Sequence, residues 1–411
     1  MPALPPRPDP SRDGRRAPPL AGLRVLELGQ ILAGPFAGAL LAYFGAEVIK
    51  VEPPGRGDPI RGWRELDGDG TSYWWRSLAR NKRCVTLNLA SPEGQAIARR
   101  LAARADALIE NFRPGTMEAW GLGPEVLRRE NAGLVYARLS GFGQTGPYSH
   151  RPGYASVCEA FGGLRHLTGM PGEEPVRANL SLGDSLAGLH GALGILLALE
   201  ARRRDGVGQV VDVAIFESVF NVLEAVVPEF AHGGVVRGPS GPTISGIVPS
   251  NAYPTADGRQ VVIGANNAAN FRRLMLEIGR LDLAADPTLT ENPARVERRS
   301  EIDGAVAEWT STRTAAAVVA ALDAAAVPAS TSFSVADMFA DPHYRERGLF
   351  ETARSSGREW TLPAFRPRLE ETPGETRFAG PELGAANDEV YGEELGMTRA
   401  EIARLRSGGV I

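Results

Sequence analysis

Asp184 stands in the string Leu182-Gly183-Asp184-Ser185, just before a long apolar stretch, residues 186–199. A carboxylate can attack an activated acyl carbonyl and carry the acyl group, but only as the anion, a form that the start of a helix favours. An N-cap suits the same position, because aspartate readily accepts a backbone N–H. Read alone, the string is more often a cap than a nucleophile, and the two roles can coexist.

Other patterns lead elsewhere or fail. Gly141, Gly143 and Gly146 in GFGQTG match the spacing of a dinucleotide fingerprint and follow a predicted strand. That fingerprint needs a helix opening at its third glycine to hold a pyrophosphate, whereas Pro147, Tyr148 and Pro152 follow here. The string Gly238-Pro239-Ser240-Gly241 lacks the spacing of a serine-hydrolase elbow. No two of the histidines (His150, His166, His190, His232, His343) lie three or four residues apart, so a helical His-pair metal site is excluded. Cys84 and Cys158 stand far apart, which fits a reducing compartment.

A chain of 411 residues is expected to form two lobes. Its 45 basic against 49 acidic side chains give a net charge of −4, without the basic footprint of a nucleic-acid binder. The 186–199 stretch is shorter than the roughly 20 residues a bilayer requires, so it is predicted to be a buried helix rather than a membrane span. Residues 1–19, rich in Pro and Arg, are expected to be a disordered tail without a signal peptide's apolar centre, and the cytoplasm is the default location.

The elements that must hold Asp184 follow from periodicity. Strand-like and helical runs alternate from residue 23, the pattern of an α/β fold with a parallel sheet covered by helices. Strands are predicted over 23–28, 46–51, 107–110, 134–139 and 209–215, with helical character over 36–44. Ser91 followed by Pro92 and Glu93 signals a helix start, reaching about residue 105. The long apolar helix should run to Arg204 and stop near Gly206 and Gly208, and Gly188, Gly191 and Gly194 on it would admit a close neighbour. A linker is expected over 232–250. A hairpin turning at Ala256, Asp257 and Gly258 comes next, then helices over 270–278 and 314–325. A strand pair over 349–362 and a final helix capped by Thr398 and Glu401 complete the chain.

The strings LAGPFAG (32–38), FGAEVIKVE (44–52), NKRCVTLNL (81–89), ENFRPG (110–115), SGFGQTGPY (140–148), LGDSLAG (182–188), GVGQVVDVAIFE (206–217) and DPHYRERG (341–348) resemble, in order and spacing, the family III CoA-transferases, the formyl-CoA transferase group. The likeness spans residues 20–411. It implies that Asp184 is the nucleophile: it would attack a donor thioester to form a mixed anhydride, become an aspartyl-CoA thioester, and pass CoA to an acceptor acid through a second anhydride. Coenzyme A is then a co-substrate, and no metal or tightly bound cofactor is implied. Anhydrides demand a site that excludes water and offers N–H groups to developing oxyanions. The family's glycine-rich lid has only scattered counterparts in Gly238, Gly241 and Gly246.

The resemblance further implies CoA contacts at Leu87, Asn111 and Phe112, with Tyr154 near the reacting groups. Leu32 stands where formyl-CoA transferase has Gln, Pro53 replaces an Arg, and Ala90 and Pro152 each replace a Lys. CoA phosphates need cations, so Arg56, Arg113 or Arg151 is expected to substitute. The α-methylacyl-CoA racemases of the same superfamily use a histidine in a GHD-type string, but this chain reads Gly153-Tyr154-Ala155, which removes one of the two bases that exchange an α-proton. A third possibility is an acyl-CoA-binding protein without catalysis, against which Asp184 itself speaks. The strings at 246–249 and 264–267 look like the branch that uses succinyl-CoA with dicarboxylates. For the distal carboxylate, Arg177 or Arg113 is a candidate, and Gly246 a candidate for the substrate pocket.

The fold implied is a Rossmann-like large domain (20–225 and, after a return linker, part of 328–411) with a smaller α+β domain (245–327) joined by a linker (226–244). Family III subunits are rings that interlock as homodimers, and the same assembly is expected here.

Overall fold

The protein is described by a computed structural model covering residues 16–355 and 357–411. The expected tail lies outside the described residues as far as position 15. Within its remainder, Pro18 sits against Gly45, where a Cβ would come within 2.4 Å of the proline ring.

Short apolar runs punctuated by Gly and Pro form a sheet buried on both faces. The strands and helices run β1 (Arg24–Glu27), α1 (Ala33–Tyr43), β2 (Glu47–Glu52), α2 (Tyr73–Leu78), β3 (Lys82–Thr86), α3 (Pro92–Ala102), β4 (Ala107–Glu110), α4 (Thr116–Ala119), α5 (Pro124–Glu130), β5 (Val135–Ser140), α6 (Ala155–Phe161), α7 (Leu182–Asp205), β6 (Val210–Ala214) and α8 (Ile215–Phe220). All six strands are parallel, in the order β3-β2-β1-β4-β5-β6. The order reverses between β1 and β4, and ligands of open α/β sheets bind outside the carboxyl ends of such a pair. Alternation along the strands fills two cores. Leu26, Val85 and Leu108 point to the side of α3 and α5, while Val25, Ile109 and Ala137 point to the side of α1 and α7.

This large unit comprises the described residues up to Leu164, Ala178–Leu223 and Tyr344–Ile411. A second unit comprises Arg165–Arg177 and Glu224–His343. The latter contains α9 (Val226–Gly233), β7 (Ser250–Pro254), β8 (Gln260–Gly264), α10 (Ala268–Glu277), α11 (Leu281–Ala285), α12 (Asn292–Glu297), α13 (Arg299–Ser311), α14 (Ala315–Ala324), β9 (Ala329–Thr331) and α15 (Val335–Ala340). Its three-stranded antiparallel sheet packs on a core that includes Val248, Phe271, Ile302, Val318 and Val327. Following α16 (Pro342–Glu346), the antiparallel pair β10 (Phe350–Ser355) and β11 (Arg358–Pro363) and helix α17 (Arg399–Ser407) belong to the large unit.

Local signals mark many boundaries. Ser91 caps α3 by accepting from Gly94 N, and Thr398 with Glu401 closes a reciprocal box on α17. Three expectations are corrected. The linker predicted over 232–250 begins inside α9, which ends at Gly233. The apolar stretch 186–199 is the middle of one 24-residue helix, α7, so it does have the length to cross a bilayer. Its inward face of Ala187, Gly191, Ile195 and Ala198 is nevertheless packed in the protein core, leaving Leu189, Leu193, Leu196 and Leu197 outside. Asp184 is also not the N-cap: α7 starts at Leu182, which puts the cap at Ser181 and Asp184 in the first turn.

Candidate active site

Helix α7 lies beside α1 because glycines remove the side chains between them. A Cβ on Gly188 would stand 2.8 Å from the Ala33 carbonyl and 2.9 Å from the Phe36 ring, and one on Gly191 would stand 3.6 Å from Ala37. Matching Ala33 with Gly188 and Ala37 with Gly191 makes the two helices run the same way. The turn of α7 that precedes Gly188 therefore stands beyond the start of α1, at the carboxyl edge of the sheet. That turn carries Asp184, which is 9 % exposed.

The segment joining β1 to α1 is fixed from several sides. The Asn111 side chain accepts from Gln30 N and donates to Gln30 O, both at 2.7 Å, tying the ends of β1 and β4 together. A Cβ on Gly29 would stand 2.7 Å from Asn111 Oδ1, so this close approach requires glycine. Ile31 adopts a left-handed φ of 67°, and its N–H donates to both oxygens of Asp58, at 3.0 and 3.1 Å. Such a backbone in a β-branched residue persists only when its surroundings hold it.

Beneath this turn lies a buried ionic cluster with three carboxylates, Glu27, Glu52 and Asp58, and three cations, Lys50, Lys82 and Arg61. The Lys50 ammonium is 2.9 Å from Asp58, 3.2 Å from Glu27 and donates to Gly29 O at 2.6 Å. Lys82 lies 2.8 Å from the other Glu27 oxygen and donates to Pro35 O at 2.6 Å. Arg61 grips Glu52 through two nitrogens at 2.7 and 2.8 Å. Burial pulls Lys50 down, but Asp58, Glu27 and Glu52 outweigh it and hold the ammonium above its ordinary range. For Lys82 burial prevails, and its affinity for the proton is lowered. Lys50 and Lys82 are the only lysines in the chain.

Glu110, at the end of β4, pairs with Arg138 at 2.9 Å and accepts from Phe112 N at 2.8 Å. Burial pushes the Glu110 carboxyl up to about 7 despite Arg138. Arg138 is held above its ordinary range because hydrogen bonds and attraction from Glu110 and Glu118 exceed its own burial penalty. The asymmetry is physical: Glu110 is the more deeply buried partner, and Arg138 serves two acids.

The large unit thus carries Asp184, Asn111, Phe112, Leu87 and Tyr154. Leu87 has its side chain in the core, 2 % exposed, so only its main chain can meet a ligand. Phe112 meets Trp120 edge-on, with ring centroids 5.1 Å apart. Trp120 borders an open groove of about 480 Å³ whose wall carries Arg99 and Arg100. Tyr154 precedes α6 and is 63 % exposed. Arg56 and Arg113 are exposed, and Arg151 stacks its guanidinium 3.5 Å over the Tyr148 ring. Arg177 and Gly246 belong to the second unit, where Gly246 has φ +74° and its carbonyl accepts from Asn292. The glycine loop of GFGQTG is followed by turns until α6 starts at Ala155, so no helix opens at Gly146. Sequence reading missed the ionic cluster. Its one signal was charge inside apolar strands: Glu27 in RVLE and Lys50 in EVIKVE.

The pattern of CoA-transferase family III matches residues 20–387. A succinyl-CoA:D-citramalate CoA-transferase of Chloroflexus aurantiacus is 46 % identical over 96 % of this chain and 98 % of its own length. A succinate:glutarate CoA-transferase of Agrobacterium fabrum is 34 % identical over 92 % of this chain and 96 % of its own. Among solved structures, a CAIB/BAIF family protein from Brucella suis superposes with a TM-score of 0.81 at 33 % identity, covering 92 % of this chain and all of that one.

Proposed function

The chain belongs to CoA-transferase family III and is a CoA-transferase, and on that premise we propose that it moves CoA from succinyl-CoA to a small dicarboxylic acid through covalent intermediates on Asp184. The observation that carries the proposal is the position of Asp184: a buried carboxylate in the first turn of α7, beyond the start of α1 at the carboxyl edge of the sheet. An anion is stabilised in a helix's first turn, and a rigid helix fixes its line of attack.

In the proposed cycle an Asp184 oxygen attacks the donor carbonyl and CoA leaves as thiolate, forming a mixed anhydride. The thiolate then attacks the aspartyl carbonyl and expels the donor acid, leaving an aspartyl-CoA thioester. The acceptor carboxylate attacks that thioester, releasing CoA and forming a second anhydride. Attack of CoA on the acceptor's carbonyl gives the product and frees Asp184. The activated acyl bond is conserved at every step. CoA would cross the switch point along Asn111 and Phe112, with Arg56, Arg113 or Arg151 meeting phosphates and Tyr154 near the acyl group. Arg177 and Gly246 are our candidates for the distal carboxylate of the acid.

Homodimerisation in interlocked form belongs to the same proposal. The leucines at 189, 193, 196 and 197 form an exposed helical stripe, and stripes of this kind mark interaction surfaces. Two buried free thiols support a reducing, cytoplasmic setting.

The test offers succinyl-CoA with citramalate, malate, glutarate and monocarboxylic acids, and reads product thioesters by mass. Hydroxylamine added during turnover should leave a hydroxamate on Asp184. Transfer without any such mark would remove the covalent route, and transfer confined to monocarboxylic acids would remove the dicarboxylate assignment.

A further inference from the structure

Building on the role proposed for Asp184, we infer that Glu159 is a positioning residue for it, gripping the first turn of α7 from the neighbouring helix α6.

The N-terminus of a helix leaves N–H groups without intrahelical partners, and a side-chain cap normally answers one of them. Ser181 occupies the cap position of α7, but its side chain makes no capping bond. Gly183 N donates instead to Glu159 Oε1 at 3.0 Å, from a residue 24 positions earlier. Glu159 is 2 % exposed. Gly183 is part of the fit, because a Cβ there would stand 3.1 Å from Ile215 and 3.2 Å from Glu159 Cγ.

The grip is anchored in turn. The adjacent Cys158 thiol donates to Gly141 O at 3.3 Å, connecting α6 to the chain just after β5. Burial first, then the charges of Asp184 and Glu159, push the Cys158 thiol up to about 12, so both carboxylates lie near that sulfur. A rigid route therefore runs from the sheet edge at Gly141, through Cys158 and Glu159, to Gly183 and the nucleophile beside it. Displacing a reacting group by about 1 Å can lower turnover on the order of 10²-fold. Glu159 controls such a displacement without touching substrate.

Glu159→Gln keeps a carbonyl oxygen for Gly183 N, whereas Glu159→Ala removes it. With folding checked by thermal melting, Glu159→Ala is expected to lower kcat about 10- to 100-fold while KM for succinyl-CoA stays within about threefold. Glu159→Gln should restore most of that loss. A purely structural role would instead lower melting temperature and active fraction, without this split or rescue. Wild-type kcat in Glu159→Ala, or equal damage from Gln and Ala, would overturn the inference. If Glu159→Ala does not fold, Gly183→Ala wedges a methyl into the same contact, and wild-type turnover from that variant would overturn it too. Hydroxylamine trapping in the wild type separates the two ideas. An unmarked Asp184 together with the kcat pattern above defeats the covalent reading alone.

Discussion

Gly188 of α7 faces the main-chain carbonyl of Ala33 at the start of α1, with room for no side chain between them: a Cβ would stand 2.8 Å from that oxygen. The contact sets the depth of α7, and hence the height of Asp184 above the sheet edge. Gly188→Ala is expected to destabilise the fold by about 1–3 kcal/mol through overpacking and to lower kcat more than KM. Denaturant melts and steady-state kinetics check both, and an alanine variant with unchanged turnover would show that helix depth does not matter.

Asp184→Asn keeps the size of the side chain and removes the carboxylate proposed as nucleophile. Transfer should fall on the order of 10³-fold or more while the CoA dissociation constant changes less than about tenfold. Turnover near the wild-type level would end the mechanism.

Asp58 holds the left-handed Ile31 and balances Lys50. Asp58→Ala leaves the buried Lys50 ammonium with Glu27 as its remaining ion-pair partner, and the Ile31 and Ile60 N–H groups without the carboxylate they share, so a loss of about 3–5 kcal/mol is expected. Chemical denaturation measures it. A loss below about 1 kcal/mol would mean that the β1–α1 turn holds itself.

Glu110 gives a pH signature. Its carboxyl rises from an ordinary 4.5 to about 7 in the fold, chiefly by burial. A raised acid binds its proton more tightly when folded, so its contribution to stability is complete below about 4.5 and is lost as pH rises through about 7. Wild-type stability should therefore decline between about pH 4.5 and 7, by at most about 3 kcal/mol from this group, and Glu110→Gln should flatten that slope. A wild-type slope of zero or of the opposite sign would show that Arg138 keeps Glu110 ionised throughout.

Cys158 reports on Asp184. The thiol, pushed up to about 12, should resist alkylation at pH 8, and Asp184→Asn should accelerate it by removing one negative neighbour. Equal rates in the two proteins would separate the residues electrostatically.

Local chemistry made parts of this molecule legible. Ser91 with Pro92, Thr398 with Glu401, and the turn at Asp257 and Gly258 encode their own geometry within a few residues, and the helix and strands around them form as expected. Strand β3 was overlooked because Lys82 and Arg83 look like surface residues; only the lateral order of strands reveals that Glu27 meets Lys82. Helix α13 hid its buried positions Ile302, Val306 and Thr310 around Gly304. Asp184 was legible as a candidate from its string, but its setting was not. The helix begins a turn earlier than its apolar run, and the Gly183 N–H in its first turn is answered from α6. Contacts of that range depend on the assembled sheet.

Both lysines are sealed inside the β1 cluster, and every other basic side chain among the described residues is arginine or histidine. CoA thioesters acylate exposed amines without any catalyst, and this folded chain offers them no side-chain amine. Its working surface is thereby immune to the adventitious acylation that its own substrates would inflict on a lysine-bearing protein. For the same reason, amine-directed dyes, cross-linkers and resins will find no lysine to hold.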